Sequence, residues 1–328
     1  MQSIKPFVIL CLYLCLAISA SAVAQQEPPL ARQAAAGWKG KSVRQWSDLL
    51  ADEDERVRWY ATYALGQLGP KAADAVPALM ALLEDTQQYE YVRGAAAWAL
   101  GRIGDRQAVP LLTETLESKH VSVRRNAPLA LGNLEEASKE AVPKLLELVK
   151  DPDATVRVNS AVALWKIEKH QRAVPALVEM IQKGAGPAPY EATVALGRLE
   201  ADPSILVPGL TAALQRDDPD VRRAAARAIG KIGPVAIPQL AGPLADPNPA
   251  VRRAAVEALG WMGEPAVKPL IVALGNEAPE ARAAAARALG RLGPKAKAAG
   301  PKLIETINDR NPEVREAVAK AIKEIRKQ

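Results

Sequence analysis

Val57-Arg58-Trp59-Tyr60-Ala61-Thr62-Tyr63-Ala64-Leu65-Gly66-Gln67-Leu68-Gly69 is a phrase that the chain writes again as Val251-Arg252-Arg253-Ala254-Ala255-Val256-Glu257-Ala258-Leu259-Gly260-Trp261-Met262-Gly263. Its first position recurs nine times, at Val57, Val92, Val123, Val156, Ala188, Val221, Val251, Ala281 and Val314. A period in the low thirties is one supersecondary unit stacked on copies of itself. Counted from that first residue, Val221, Ala225, Ala228, Ile229 and Ile232 fall on one face of a 3.6-residue helix and are the expected core. The trailing glycine, followed by proline in Gly69-Pro70, Gly233-Pro234 and Gly293-Pro294, reads as a helix stop.

A second apolar pattern follows each stop, as in Ala75-Val76-Pro77-Ala78-Leu79 and Ala141-Val142-Pro143-Lys144-Leu145. Its proline recurs at Pro77, Pro110, Pro143, Pro175, Pro208, Pro238 and Pro301. In a first helical turn it removes only an N–H that has no helical partner. Polar turns such as Asp151-Pro152-Asp153 and Asp217-Asp218-Pro219-Asp220 supply N-caps for the next phrase. Each unit is a helical hairpin, the first opening with Ser47-Asp48-Leu49-Leu50, and nothing after the N-terminal segment reads as a strand. One hairpin cannot bury its apolar face alone, whereas a stack shares a continuous core.

The Asp-x-Val-Arg, Ala-Leu-Gly-x-Leu-Gly and Ala-Val-Pro-x-Leu pieces together resemble HEAT repeats of the short, phycobilisome-lyase type. The resemblance implies an all-α, right-handed solenoid of about nine HEAT-like hairpins over residues 42–328. It also implies a ladder of Asp and Arg along the turns. The arginines concerned are Arg58, Arg93, Arg124, Arg157, Arg222, Arg252, Arg282 and Arg315, with Asp220/Arg222 and Asp153/Arg157 as expected pairs and Asp246/Arg252 and Asp309/Arg315 as looser ones. Repeat five breaks the phrase with Ala188-Pro189 after Gly184-Ala185-Gly186-Pro187, so an irregular turn is expected there.

Residues 1–24 read as a secretory signal of bacterial type. Lys5 precedes an apolar run, Phe7 to Ile18, and Ala22-Val23-Ala24 before Gln25 is a cleavage site. A retained membrane anchor is the other reading. Both cysteines, Cys11 and Cys15, lie in that run, so a processed chain carries no disulfide. Residues 25–41 read as a flexible leader. The expected location is periplasmic or extracellular, with no membrane span in the mature chain and a monomeric state.

The protein carries 43 Lys and Arg against 37 Asp and Glu, a net charge of +6. Residues 25–190 balance 21 of each sign, and residues 191–328 carry 21 basic against 16 acidic side chains. The excess therefore lies in the second half and favours an anionic partner there. Aromatic residues cluster at the other end: Trp38, Trp46, Trp59, Tyr60, Tyr63, Tyr89, Tyr91 and Trp98.

The helix face away from the core stripe supplies the candidate binding residues Trp59, Tyr63, Trp98, Tyr190, Arg223, Arg227, Arg253 and Arg287. By resemblance, this second helix lines the concave side of the solenoid. Aromatics anchor protein contacts because they offer large apolar area at low entropic cost. Trp46 is expected to cap the stack, and Trp59, Tyr63 and Trp98 are either part of that cap or anchors in a groove.

Catalytic chemistry has little to stand on in the sequence. The hydroxylase of this family, which acts on deoxyhypusine, is implied to hold iron with His-Glu dipeptides, and His120 and His170 are followed by Val121 and Gln171. No metal-ligand spacing or phosphate loop is present, and the processed chain keeps no cysteine as a thiol nucleophile. The expected function is an exported adaptor that binds a protein or peptide through its concave face and is not an enzyme, with no cofactor. The alternatives are a lyase-like subunit holding a chromophore or other small ligand, and a binder of envelope polyanions through the basic half. Export argues against nucleic acid, which is not an expected partner.

Overall fold

The computed structural model describes residues 41–327. The signal and leader readings fall almost wholly outside that range. Every regular element among the described residues is helical. The chain divides into two compact units at Ala173 and Val174. The first unit holds α1 (Val43–Asp48), α2 (Glu55–Leu68), α3 (Val76–Glu84), α4 (Glu90–Ile103), α5 (Val109–Thr115), α6 (Val121–Asn133), α7 (Val142–Leu148) and α8 (Ala154–Glu168). At the boundary begins α9 (Ala173–Lys183), and the second unit continues with α10 (Ala188–Leu196), α11 (Pro203–Leu214), α12 (Pro219–Ile232), α13 (Ala241–Leu244), α14 (Pro249–Trp261), α15 (Val267–Ala273), α16 (Pro279–Leu292), α17 (Gly300–Thr306) and α18 (Pro312–Ile325). The even-numbered helices carry the repeated phrase, so the architecture is an all-α repeat solenoid of helical hairpins.

The local chemistry explains the element boundaries. Asp54, Asp153, Asp218, Asn248 and Asn311 each cap an even-numbered helix through a side-chain oxygen. Pro77, Pro110, Pro143 and Pro301 stand in the first turns of α3, α5, α7 and α17. Pro208 departs from this placement: α11 starts earlier, at Pro203 capped by Asp202, and leaves Pro208 inside the helix. The opening helix also starts earlier than expected, because Ser42 and Gln45 form a capping box at α1.

Each unit is held by layers of aliphatic side chains. Leu79, Leu112 and Leu145 from the odd helices and Leu65, Leu100, Leu131 and Leu164 from the even ones are fully buried in the first unit. Leu177, Leu210, Leu270 and Leu303 with Leu196, Ile229, Leu259 and Leu289 repeat the arrangement in the second. Burying one such side chain is worth about 2 kcal/mol. Of the expected core residues of α12, Val221, Ala225, Ala228 and Ile229 are buried, and Ile232 at the helix end is half-exposed.

The first glycine of each phrase is not a stop. It sits inside the even helix, or in α10 just past its last residue, where the next even helix of the same unit touches it. A Cβ on Gly66 would lie 2.4 Å from the Trp98 ring, and one on Gly101 would lie 2.3 Å from Cα of Ala130. Gly197 and Gly230 meet Ala228 and Trp261 in the same way. Hydrogen at this position lets successive helices approach almost backbone to backbone. The last even helix of each unit carries Trp165 and Lys323 at the equivalent place. Repeat five is irregular, as expected: α10 is nine residues long, against 14 in α12 and α16.

Candidate functional site

On the first unit the candidate face is a ladder of rings. Trp59 stacks on Tyr63 with centroids 5.6 Å apart, and Tyr63 stacks on Trp98 at 5.3 Å. Tyr60 meets the Trp59 edge at 5.2 Å. Gly66 makes the stack possible, since any side chain there would displace the Trp98 ring. Trp59 itself is only 5% exposed and belongs to the hydrophobic core. It is therefore a buried support and not an open anchor, because the Tyr63 ring covers its flat face. Tyr63 and Trp98 remain half-exposed, with Gln67 donating to the Tyr63 hydroxyl at 2.7 Å. Trp46 is buried in the same core, with the Lys41 ammonium 5.8 Å from its ring.

Further along this unit the face closes its own charges. Arg125 grips the Asp153 carboxylate with two nitrogens at 2.9 and 2.6 Å. Asp153 also accepts the Val156 N–H as the cap of α8. Burial pushes the Asp153 carboxyl up, but the Arg125 fork and the cap bond outweigh it and hold the group below the usual carboxylate range.

On the second unit the same face is exposed and basic. Tyr190, Arg223, Arg227 and Arg287 are exposed, and Arg253 is half-exposed. The Arg227 guanidinium lies 5.6 Å from the Trp261 ring, which is 58% exposed. Arg287 meets Glu313 at 3.0 Å. Between α12 and α14 lies a pocket of about 190 Å³ lined by Arg222, Arg223, Arg253 and Glu257, with Pro219 and Ala250 among its walls.

The ladder arginines take a different role from the expected carboxylate pairs. Arg58, Arg124, Arg157, Arg222, Arg252, Arg282 and Arg315 each turn Nη1 onto two consecutive main-chain carbonyls of the preceding turn. Arg222, for instance, donates to the carbonyls of Arg216 and Asp217, both at 2.6 Å. Arg93 alone of the eight departs, donating through Nε to the Leu83 carbonyl. The Asp220 carboxylate pairs instead with Arg223, at 3.0 Å. Ion pairs between repeats run forward: Arg124 to Asp151 at 2.9 Å, and Arg282 to Asp309 at 2.7 Å. The Arg282 hydrogen bonds hold the Asp309 carboxyl below its usual range against the opposing effect of burial. Pro189 gives repeat five no such arginine, and Arg216 of the following repeat reaches back to the Gln182 and Gly184 carbonyls.

The residues present do not fit the iron centre that the family resemblance implies. Among the described residues no group of three or more His, Cys, Asp or Glu side chains is placed to hold a metal ion. His120 sits 3.4 Å from Glu90, and His170 accepts the Arg172 N–H through Nδ1. No described helix is long and apolar enough to cross a membrane.

Comparison with known proteins places the chain. A family model for HEAT repeats matches residues 43–132, 114–197, 207–277 and 267–328. Deoxyhypusine hydroxylase-B of Oryza sativa subsp. japonica is 39% identical over 97 residues, 29% of this chain and 29% of the rice protein. Phycocyanobilin lyase subunit alpha of Nostoc sp. is 40% identical over 92 residues, 26% of this chain and 33% of that protein. These matches therefore span about a third or less of either relative. A solved structure of Kap95p with RanGDP aligns over 96% of this chain and 48% of the matched one, with TM-score 0.56 and 14% identity, which shows the fold alone. The expectation that the chain is not an enzyme is corrected here, because both relatives are named as enzymes. Repeated phrase, helical hairpins and family match agree, and the chain belongs to the HEAT-repeat family.

Proposed function

We propose that the chain is an exported HEAT-repeat adaptor that holds a protein or peptide partner against its even-numbered helices. The observation that supports this reading is the ring ladder of the first unit. Tyr63 and Trp98 stay half-exposed although both are stacked and fixed, so they offer apolar area whose ordering cost is already met on folding. The exposed arginines of the second unit add groups that pair with a partner's charges. The test is capture from envelope and secreted fractions with the full chain as bait, beside a Tyr63→Ala, Trp98→Ala bait. The expected result is a protein retained by the parent and lost by the variant, at an essentially unchanged melting temperature. A partner kept equally by both baits would end the reading. Export is tested by sequencing the N-terminus of chain recovered outside the cytoplasm, which is expected to begin at Gln25.

A second reading, a lyase-like subunit that holds a chromophore, is favoured by the likeness to the Nostoc protein. Titration with phycocyanobilin decides it: an absorbance shift supports this reading, and an unchanged spectrum removes it.

A further inference from the structure

In the first unit the arginine at the third position of α6's phrase, Arg125, is answered by Asp153, the N-cap of the next even helix. In the second unit the arginines at that position are Arg223 and Arg253, and the N-caps of the next even helices are Asn248 and Ala278, which carry no charge. Arg223 keeps only the well-exposed Asp220 from its own helix, and Arg253 approaches Glu257 no closer than 3.7 Å, beyond hydrogen-bond distance. Both arginines line the pocket with Arg222, which is 8% exposed and held rigid by its two carbonyl bonds. The start of α14, at Ala250, adds the positive end of a 13-residue helix.

We propose that this pocket binds a carboxylate of an acidic peptide segment, with Arg223 and Arg253 as its two outer donors. The proposal rests on the adaptor reading and names the chemistry of the partner. Three guanidinium groups set against Glu257 and Asp220 leave one positive charge. One carboxylate cancels that charge, whereas a phosphate dianion overshoots it. A planar carboxylate also matches the guanidinium fork, as Asp153 does on Arg125.

The test is fluorescence anisotropy with the full chain and a fluorescein-labelled peptide of alternating glutamate and alanine, beside its glutamine twin. The glutamate peptide is expected to bind and the glutamine twin not. The double variant Arg223→Gln, Arg253→Gln should weaken binding about tenfold or more without altering the melting temperature. Arg287→Gln should change binding less than about twofold, since diffuse surface charge contributes little at moderate salt. Equal binding by the double variant, or an equal loss in Arg287→Gln, would overturn the site. Displacement by inorganic phosphate beyond that by chloride at matched ionic strength would also overturn it and reassign the pocket to phosphate. Failure here with partner capture still dependent on Tyr63 and Trp98 removes the pocket proposal alone. Peptide binding with no aromatic-dependent capture removes the adaptor reading of the rings alone.

Discussion

Arg125 in the first unit and Arg223 in the second occupy the same position of the same repeated phrase, yet one is spent and the other is available. Arg125 lies in a two-nitrogen grip on Asp153. Arg223 faces solvent beside an exposed Asp220. One residue of the following turn makes the difference: aspartate in repeat four, asparagine in repeat seven. The comparison teaches that a solenoid sets where its side chains stand, while the neighbouring repeat sets what they can do. The first unit converts its phrase into stacked rings and closed ion pairs, and the second leaves its phrase open and basic.

The largest expected effect tests the covered side of that contrast. Trp59→Ala removes a buried ring from the core of the first unit and should cost about 3–5 kcal/mol, read by urea denaturation. Arg227→Ala on the exposed face of the second unit should cost less than about 0.5 kcal/mol. Equal costs would mean that the two faces do not differ in burial.

Helix approach gives the next contrast. A methyl on Gly101 meets the Ala130 backbone, whereas one on Gly260 meets the Ala288 methyl and the movable Arg291 end, both at 3.0 Å. Gly101→Ala should therefore destabilise by roughly 1–3 kcal/mol through overpacking. Gly260→Ala should fall within about 1 kcal/mol of the parent, because the helix-propensity gain offsets the strain.

Acid sensitivity sharpens the electrostatic side. The folded carboxyls of Asp153 and Asp309 lie below their unfolded values. Their contribution is present above the ordinary carboxylate value near ~3.9 and is lost as pH falls through the lower folded values. Asp309→Asn should cost about 1–3 kcal/mol at neutral pH. Its melting curve should then converge on that of the parent as the pH drops below about 4. A difference that persists in acid would show that the carboxylate charge is not what matters.

The smallest effect is a repair. Arg252 Nε is buried and has no acceptor, at a place where the next repeat offers Asn276 and where Arg282 finds Asp309 one repeat later. Asn276→Asp supplies that acceptor and gives up the Leu244 carbonyl bond, so a net gain of about 0.5 kcal/mol is expected in a thermal melt.

Much of this was legible in the chain. The core valines, the N-cap aspartates and the first-turn prolines follow from helical period and from which groups a helix end leaves unpaired. The arginine after each valine was also visible, but its partners were not. The family resemblance implied nearby aspartate carboxylates, and the folded turn presents two carbonyls to Nη1 instead. The trailing glycine of the phrase reads as a stop, but the glycine of Ala-Leu-Gly, three residues earlier, has no role in that reading. Its recurrence nine residues after the phrase's start, in every repeat followed by another in its unit, was the available signal for close helix contact.

The sequence by itself determined the repeat, the hairpin and the face each helix buries, because those depend on period and on local backbone chemistry. Only the tertiary structure decided that Trp59 is a support and not an anchor, that Arg125 is neutralised, and that Arg222, Arg223 and Arg253 converge on one pocket. The reason is physical: burial and charge pairing depend on which side chain of the next repeat, some thirty residues away, comes within a few ångströms, and a periodic pattern fixes the register of that meeting without fixing its chemistry.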